Sequence, residues 1–157
     1  MKPILMVRMM VMAATLLVVS GCARTNDDAP RAGAGGPTLT GTRWNLVSMG
    51  ETPAEVTEGV GEGPYIMLGA EDNGVSGSTG VNFLSGTYER DGDELKFGPL
   101  ITTRRAGPPA LMQQEVAFSR ALGQTGGWRI REGALELLDA DGNPVARFRP
   151  ANLATLR

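Results

Sequence analysis

The sequence predicts an α+β domain in which one helix packs on a strongly bent antiparallel β-sheet or partial barrel. From residue 38 onward, short alternating apolar runs are separated by Gly, Pro, Asp and Asn at the spacing of antiparallel hairpins. One segment, residues 110–122, breaks this pattern and follows the helical period instead. A chain of 157 residues is long enough for one such domain.

Nine runs in the second part of the chain are strand candidates. They are residues 44–48, 64–68, 75–79, 86–90, 94–97, 100–103, 128–131, 134–138 and 145–149. Asp-Gly pairs separate two of these runs at residues 91–92 and two more at residues 141–142, and this dipeptide is a strong signal for a tight hairpin. The strands are therefore expected to pair with their sequence neighbours in antiparallel order.

The predicted helix carries one acidic side chain on its apolar side. Two prolines precede the segment and a glycine follows it, as expected for a helix start and stop. At 100° per residue, Glu115 falls in the same stripe as Leu111, Phe118 and Leu122. Burial of an unpartnered carboxylate is costly, so Glu115 is expected to accept hydrogen bonds from backbone or hydroxyl donors rather than to act in catalysis.

The N-terminus has the pattern of a secretory signal peptide. Lys2 and Arg8 flank a stretch that passes into residues 9–19, where Thr15 is the only polar residue. Eleven such residues are too few to cross a bilayer, which needs about 20. A basic segment followed by a short apolar segment is typical of a signal peptide, and we assign it to residues 1–21.

The end of this segment, Val19-Ser20-Gly21-Cys22, resembles a bacterial lipobox. The resemblance implies that diacylglycerol is attached to the Cys22 thiol and that the chain is cut before this residue. Two or three acyl chains would then anchor the protein without a membrane-spanning helix. Ala23 instead of Asp after the cysteine favours the periplasmic face of the outer membrane. The alternative is an ordinary secretory signal that happens to end in a cysteine.

A linker is expected between the lipid anchor and the domain. Residues 22–37 contain Gly and Pro and lack periodic apolar positions, which is typical of a flexible segment. The fifteen residues that follow Cys22, residues 23–37, would span roughly 20 Å as a flexible coil. The domain is then assigned to residues 38–150 and a C-terminal tail to 151–157.

Composition excludes several classes of chemistry. The chain has no histidine and one cysteine, so it lacks an imidazole base, a histidine-ligated metal and a thiolate zinc site. Removal of the signal peptide leaves 13 basic and 17 acidic side chains, and aromatic residues are few, which argues against nucleic-acid binding. We predict no enzyme activity, metal or cofactor. A hydrolase that uses Asp91, Asp93 and Glu94 is the weakest alternative, because these residues fall in a solvated turn.

The order of motifs in the chain resembles the META domain family, whose bacterial members include the HslJ-like heat-shock lipoproteins. The family pattern has a Trp-x-Leu strand, a Gly-x-x-Gly-Cys-Asn turn, a Gly-x-Tyr strand, a Leu-x-Phe-Gly strand, a Thr-Thr-x-x-Ala-Cys-Pro segment, a helix with Glu, and a Leu-x-Leu strand. The corresponding residues here are Trp44-Asn45-Leu46, Gly77-Ser78-Thr79-Gly80-Val81-Asn82, Gly86-Thr87-Tyr88, Leu95-Lys96-Phe97-Gly98, Thr102-Thr103-Arg104-Arg105-Ala106-Gly107-Pro108, Glu115 and Leu135-Glu136-Leu137.

Both cysteines of this pattern are replaced, one by Val81 and the other by Gly107. If the family's two cysteines pair, this chain lacks a bridge that typically contributes about 2 to 4 kcal/mol, and packing has to replace that contribution. The replacement also removes any redox role that the resemblance would imply.

The resemblance groups Asn82, Thr103 and Glu115 as a structural polar cluster under the sheet. Gly77, Gly80 and Asn82 are expected to shape a tight turn that needs positive φ, with the Asn82 side chain bonded to backbone. The expected function is that of a non-catalytic envelope lipoprotein linked to stress tolerance or envelope integrity, anchored through Cys22 and acting through contacts with other envelope proteins. The alternative is a module that binds a lipid or a small apolar ligand.

Overall fold

The structure, a computed structural model, describes residues 36–56 and 63–151. Several predicted segments lie outside the described residues: the signal peptide, the acylation site Cys22, residues 23–35 of the linker and residues 152–157 of the tail. Within the described residues, no helix has the length and apolar character needed to span a bilayer.

The described residues form ten strands and one helix, in an order that matches an α+β domain. The strands are β1 Arg43–Met49, β2 Thr52–Pro53, β3 Tyr65–Leu68, β4 Gly74–Ser78, β5 Phe83–Asp91, β6 Glu94–Phe97, β7 Ile101–Thr102, β8 Gly127–Arg131, β9 Ala134–Leu138 and β10 Pro144–Pro150. The helix, α1, is Pro109–Gly123 and connects β7 to β8.

The strands form one antiparallel sheet that bends into a ring. The order of hydrogen-bonded neighbours is β10-β9-β8-β6-β5-β4-β3-β1-β2, and β1 also pairs with β10. In that closing pair, Trp44 lies opposite Pro150 and Leu46 opposite Phe148. The short β7 pairs with the first half of β5, while β6 pairs with the second half.

The ring is not a regular barrel. A single residue pair, Glu94 and Gly127, joins β6 to β8, whereas β8 and β9 share five pairs. The prediction of a bent antiparallel sheet or partial barrel with one packed helix is confirmed. Each of the nine predicted strands is present, and β2, which follows a bend at Gly50 with positive φ, is the strand that the sequence pattern missed.

The helix and the inner face of the ring share one apolar core. Buried helix residues meet side chains that alternate inward along the strands, and Phe118 packs against Phe148 with ring centroids 6.1 Å apart. Trp44 is fully buried and its indole N–H donates to the carbonyl of Leu39, 2.9 Å away. Tyr88, which is also buried, donates its hydroxyl to the carbonyl of Gly69. The ring interior is therefore filled with side chains, as in a small barrel.

Candidate functional site

Asn82 lies at the centre of a polar cluster below the turn that joins β4 to β5. Its side chain is 1% exposed. The amide oxygen Oδ1 accepts from Thr103 Oγ1 at 2.8 Å and from the backbone N–H of Arg105 at 2.7 Å. The amide nitrogen Nδ2 donates to Glu115 Oε2 at 2.8 Å and to the carbonyl of Arg105 at 3.2 Å. All four hydrogen-bonding positions of the amide are thus occupied.

Thr79 connects the turn to the helix. Its hydroxyl donates to Glu115 Oε2 at 2.8 Å and accepts from the backbone N–H of Asn82 at 3.0 Å. Thr79 is completely buried, and one oxygen of the Glu115 carboxylate receives both Thr79 and Asn82. The carboxylate on the apolar side of α1 is therefore partnered by one hydroxyl and one amide donor.

The structure brings together the three residues that the family resemblance grouped, namely Asn82, Thr103 and Glu115. Thr103 is exposed on one side, and its Oγ1 also accepts from the backbone N–H of Phe83 at 3.1 Å. With Thr79 and the backbone of Arg105, these residues form what we call the Asn82 cluster. Sequence reasoning missed Thr79 and Arg105, although both lie inside the motifs that it had singled out.

The two glycines of the turn have different roles. Gly80 adopts a φ of +100°, as expected for a tight turn. Gly77 lies in β4 outside the left-handed region, and a Cβ at this position would collide with the carbonyl oxygen of Tyr65 on β3. The expectation of positive φ was therefore wrong for Gly77, where close approach of a neighbouring backbone requires glycine. Asn82 also lies outside the left-handed region, and its side chain bonds backbone, that of Arg105, as expected.

The two positions where the family pattern has cysteines lie side by side. A Cβ built on Gly107 would be 3.4 Å from the Cβ of Val81 and 2.8 Å from each of its methyl groups. Disulfide-linked residues have Cβ atoms about 3.5 to 4.5 Å apart. Val81 therefore fills the space in which a side chain at position 107 would otherwise lie.

Gln114 makes a second polar link that the sequence did not predict. Its side chain is buried, accepts from the backbone N–H of Glu55 at 2.6 Å and donates to the Glu55 carbonyl at 2.9 Å. The side-chain amide of Gln114 thus satisfies both backbone hydrogen-bonding groups of Glu55, as a neighbouring strand would. Local sequence patterns do not predict this link, because Gln114 and Glu55 are 59 residues apart in the chain.

The geometry of the Asn82 cluster suits a structural role. Its donors and acceptors are directed at each other, so the cluster joins a turn, an extended segment and a helix. Asp91, Asp93 and Glu94 do not join it: they are exposed at the β5–β6 turn. Among residues 36–56 and 63–151, no three His, Cys, Asp or Glu side chains converge in a way that would hold a metal ion.

An apolar groove lies on the outer side of α1. It has a volume of about 470 Å³, is open to solvent, and is lined by Met112, Gln113, Val116, Ala117 and Arg120. These residues face away from the core that Phe118 and Leu122 enter. The groove is thus a surface feature and not a chamber inside the ring.

Comparison with known proteins places this arrangement in a family. The META domain model matches residues 37–152, which includes every strand and the helix described above. The chain belongs to the META domain family. The predicted family membership is therefore confirmed, and the Asn82 cluster together with the adjacent positions 81 and 107 belongs to its META domain.

Two solved structures resemble this META domain. The NMR structure of a protein from Burkholderia xenovorans is 27% identical, covers 73% of this chain and 84% of its own, and superposes with a TM-score of 0.56. A second NMR structure is 25% identical, covers 73% of this chain and 91% of its own, and has a TM-score of 0.54. No match was found among curated proteins.

Proposed function

We propose that this META domain is the folded part of a non-catalytic lipoprotein of the bacterial cell envelope. Acyl chains on Cys22 hold it on the membrane, at the periplasmic face of the outer membrane, and it acts in stress tolerance or envelope integrity through contacts with other envelope proteins. The observation that carries the proposal is the N-terminal sequence, where a basic and apolar signal ends in Val19-Ser20-Gly21-Cys22.

The chemistry of the folded part supports a role without catalysis. The sequence has no histidine, and the most concentrated polar group, the Asn82 cluster, uses its donors and acceptors to hold the fold. Reactive groups in catalysis have to reach a substrate within hydrogen-bond distance. Glu115 Oε2 is instead occupied by Thr79 and Asn82.

The intact mass of the mature protein tests the lipid anchor. We expect the mature chain to begin at Cys22 with added diacylglycerol, and the Cys22→Ser variant to stay unprocessed. Ser20→Ala is the matched control, because it keeps a small residue before the cysteine and should be processed normally. Recovery of Cys22→Ser as a normally cleaved soluble protein would overturn the anchor.

Crosslinking in intact cells tests the partner. The lipidated protein should form a reproducible crosslink to at least one envelope protein. The unprocessed Cys22→Ser variant should not form this crosslink, because its domain no longer reaches the same membrane face. A result that contains only the most abundant lipoproteins of the envelope would contradict a specific protein contact.

The alternative, a binding module for a lipid or a small apolar ligand, has less support from the interior of the ring. Trp44, Phe118 and Phe148 are fully buried there and fill the space that a ligand would need. The groove outside α1 is open, whereas ligand pockets bury most of their ligand.

A further inference from the structure

The outer face of one wall of the ring combines exposed apolar side chains with arginines. The wall consists of β1, β3, β4, β5 and β7, and its inward positions, such as Ile66 and Leu84, are buried in the core. Because side chains alternate along a strand, the intervening positions point outward. We call these outward positions the β3–β7 face; they include Tyr65, Met67, Ser76, Phe83, Ser85 and Ile101.

The exposure of three large apolar residues on this face is unusual for the domain. Ile101 is 70% exposed, Phe83 55% and Met67 38%. The register places Met67 opposite Ser76, Ser76 opposite Ser85, and Ser85 opposite Ile101, so Met67 and Ile101 lie at the two ends of one row. Three strand spacings of about 4.8 Å make this row about 14 Å long. Phe83 lies opposite Ser78 in the neighbouring row.

Arginines lie near the β1 end and the β7 end of this face. The guanidinium of Arg105 lies 5.2 Å from the ring centre of Phe83, and that of Arg43 lies 3.7 Å from the ring centre of Tyr65. Arg104, next to Arg105, is exposed as well. The outward positions of β3, β4 and β7 and those of the first half of β5 contain no acidic residue, whereas the exposed Glu71, Asp72 and Glu89 lie at the margin of the face, in the β3–β4 turn and the second half of β5. Apolar groups flanked by arginines match a surface with anionic head groups above an apolar layer.

The entry of the chain into the fold lies beside this face. Thr40 bridges to Leu68 and Arg43 pairs with Met67, so the chain enters the sheet at the C-terminal end of β3. The linker predicted from the sequence, if it is a coil of about 15 residues, spans roughly 20 Å, which would allow this wall to reach the bilayer that holds the anchor. We propose that the β3–β7 face docks on an anionic phospholipid bilayer, with Phe83 and Ile101 inserted among the lipids and Arg104 and Arg105 on the phosphates.

This inference rests on the membrane anchor of the proposed function and adds a second contact to it. One lipid chain and a basic patch commonly act together in membrane attachment. Arginine binds phosphate through two parallel N–H groups, which suits a lipid head group. Docking would fix the orientation of the domain and leave the other walls of the ring free for a protein partner.

A fluorescence experiment on the full chain tests the docking. The chain is reconstituted into vesicles whose lipids carry brominated acyl chains, with Ile101→Trp as the reporter. Val116→Trp is the matched control, because Val116 is similarly exposed, at 61%, but lies on α1. The native residues Trp44 and Trp128 are buried and give a constant background in both variants.

In vesicles that contain phosphatidylglycerol, we expect the bromolipid to quench the Ile101→Trp reporter at least twice as strongly as the Val116→Trp control. The difference should shrink in vesicles of phosphatidylcholine alone. Arg105→Gln should lower the ratio of docked to undocked domain about fivefold, whereas Arg131→Gln, on β8, should change it less than twofold. The backbone contacts of Arg105 with Asn82 do not involve the substituted side chain.

Equal quenching of the two reporters, or stronger quenching of the control, would overturn the proposed face. Absence of quenching at Ile101→Trp in the anionic vesicles would also overturn it. Failure of the anchor itself is measured separately, by the intact mass at Cys22, so the two hypotheses are tested independently.

Discussion

A disulfide between positions 81 and 107 should form and stabilise the domain. The perturbation is the double substitution Val81→Cys/Gly107→Cys, made in a Cys22→Ser background so that the chain contains only the two new thiols. The Cβ atoms would lie 3.4 Å apart, close to the range of about 3.5 to 4.5 Å for disulfides. Gly107 lies outside the left-handed region of φ, so its backbone accepts a side chain.

The expected magnitude follows from the length of the closed loop. A bridge that encloses about 25 residues lowers the entropy of the unfolded chain by an amount worth about 3.5 kcal/mol. Replacement of the half-buried Val81 removes apolar contacts and costs about 1 kcal/mol. The net gain of about 2.5 kcal/mol corresponds to a rise in Tm of roughly 10 °C for a domain of about 115 residues.

Thermal unfolding followed by circular dichroism, with and without reductant, measures the contribution of the bridge alone, about 3.5 kcal/mol or roughly 15 °C in Tm. Comparison of the oxidised variant with the Cys22→Ser chain measures the net gain. A single Gly107→Ala substitution is the control for packing: its Cβ would lie 2.8 Å from both methyl groups of Val81 and should cost about 1 to 3 kcal/mol. Val81→Ala in the same chain should relieve that cost. Thiols that stay free under oxidising conditions, or equal Tm values for the oxidised and reduced forms, would refute the reasoning.

Three further perturbations test other parts of the structure. Asn82→Ala should lower the free energy of unfolding by about 3 kcal/mol in urea titrations, because the buried amide loses four hydrogen bonds and its partly buried partners lose theirs. The same variant should also be cut faster by trypsin after Arg104 and Arg105, and an unchanged cutting rate would contradict the role given to Asn82. Gly77→Ala should destabilise the domain, because the added Cβ collides with the Tyr65 carbonyl oxygen. Gly123→Ala, in open space at the end of α1, should change the free energy of unfolding by less than about 1 kcal/mol. Similar losses in both variants would contradict the close backbone approach assigned to Gly77. The backbone N–H of Asn143, and then its side chain and other backbone donors of the same turn, hold the pKa of Asp139 below the ordinary value of 3.8 for this side chain. Because the folded-state pKa is the lower one, the contribution of this carboxylate to stability is present above pH 3.8 and is lost as pH falls through the folded-state pKa. An NMR titration of Asp139 with a midpoint at or above 3.8 would rule this contribution out.

Local sequence patterns were sufficient to locate the strands and the helix. Alternation, Asp-Gly turns and proline before the helical period each act over a few residues, and each of the nine strand candidates is a strand. The sequence pattern did not predict the two-residue strand β2, because no alternating apolar run surrounds Thr52 and Pro53. Local patterns could not predict the pairing of β1 with β10 that closes the ring, because these strands are about 100 residues apart in the chain.

The polar cluster was predictable only in part, for the same reason. The position of Glu115 on an apolar stripe required partners, but nothing in the helix indicated where they would come from. Asn82 and Thr103 were grouped with it by family resemblance, while Thr79 and the backbone of Arg105 became visible only from the fold. Periodicity identifies a side chain that needs a partner, and tertiary structure decides which partner it finds.

The position of the cluster explains how the domain does without a bridge at positions 81 and 107. Asn82 follows Val81 directly, and its amide binds the backbone of Arg105, two residues before Gly107. The cluster therefore connects the same two segments that a disulfide would join, and Thr79 and Glu115 extend that connection to α1. Val81 packs into the space left by the missing side chain at 107. Because hydrogen bonds and packing already hold these segments together in the folded state, an added disulfide should act mainly on the unfolded chain, as the loop-entropy estimate assumes.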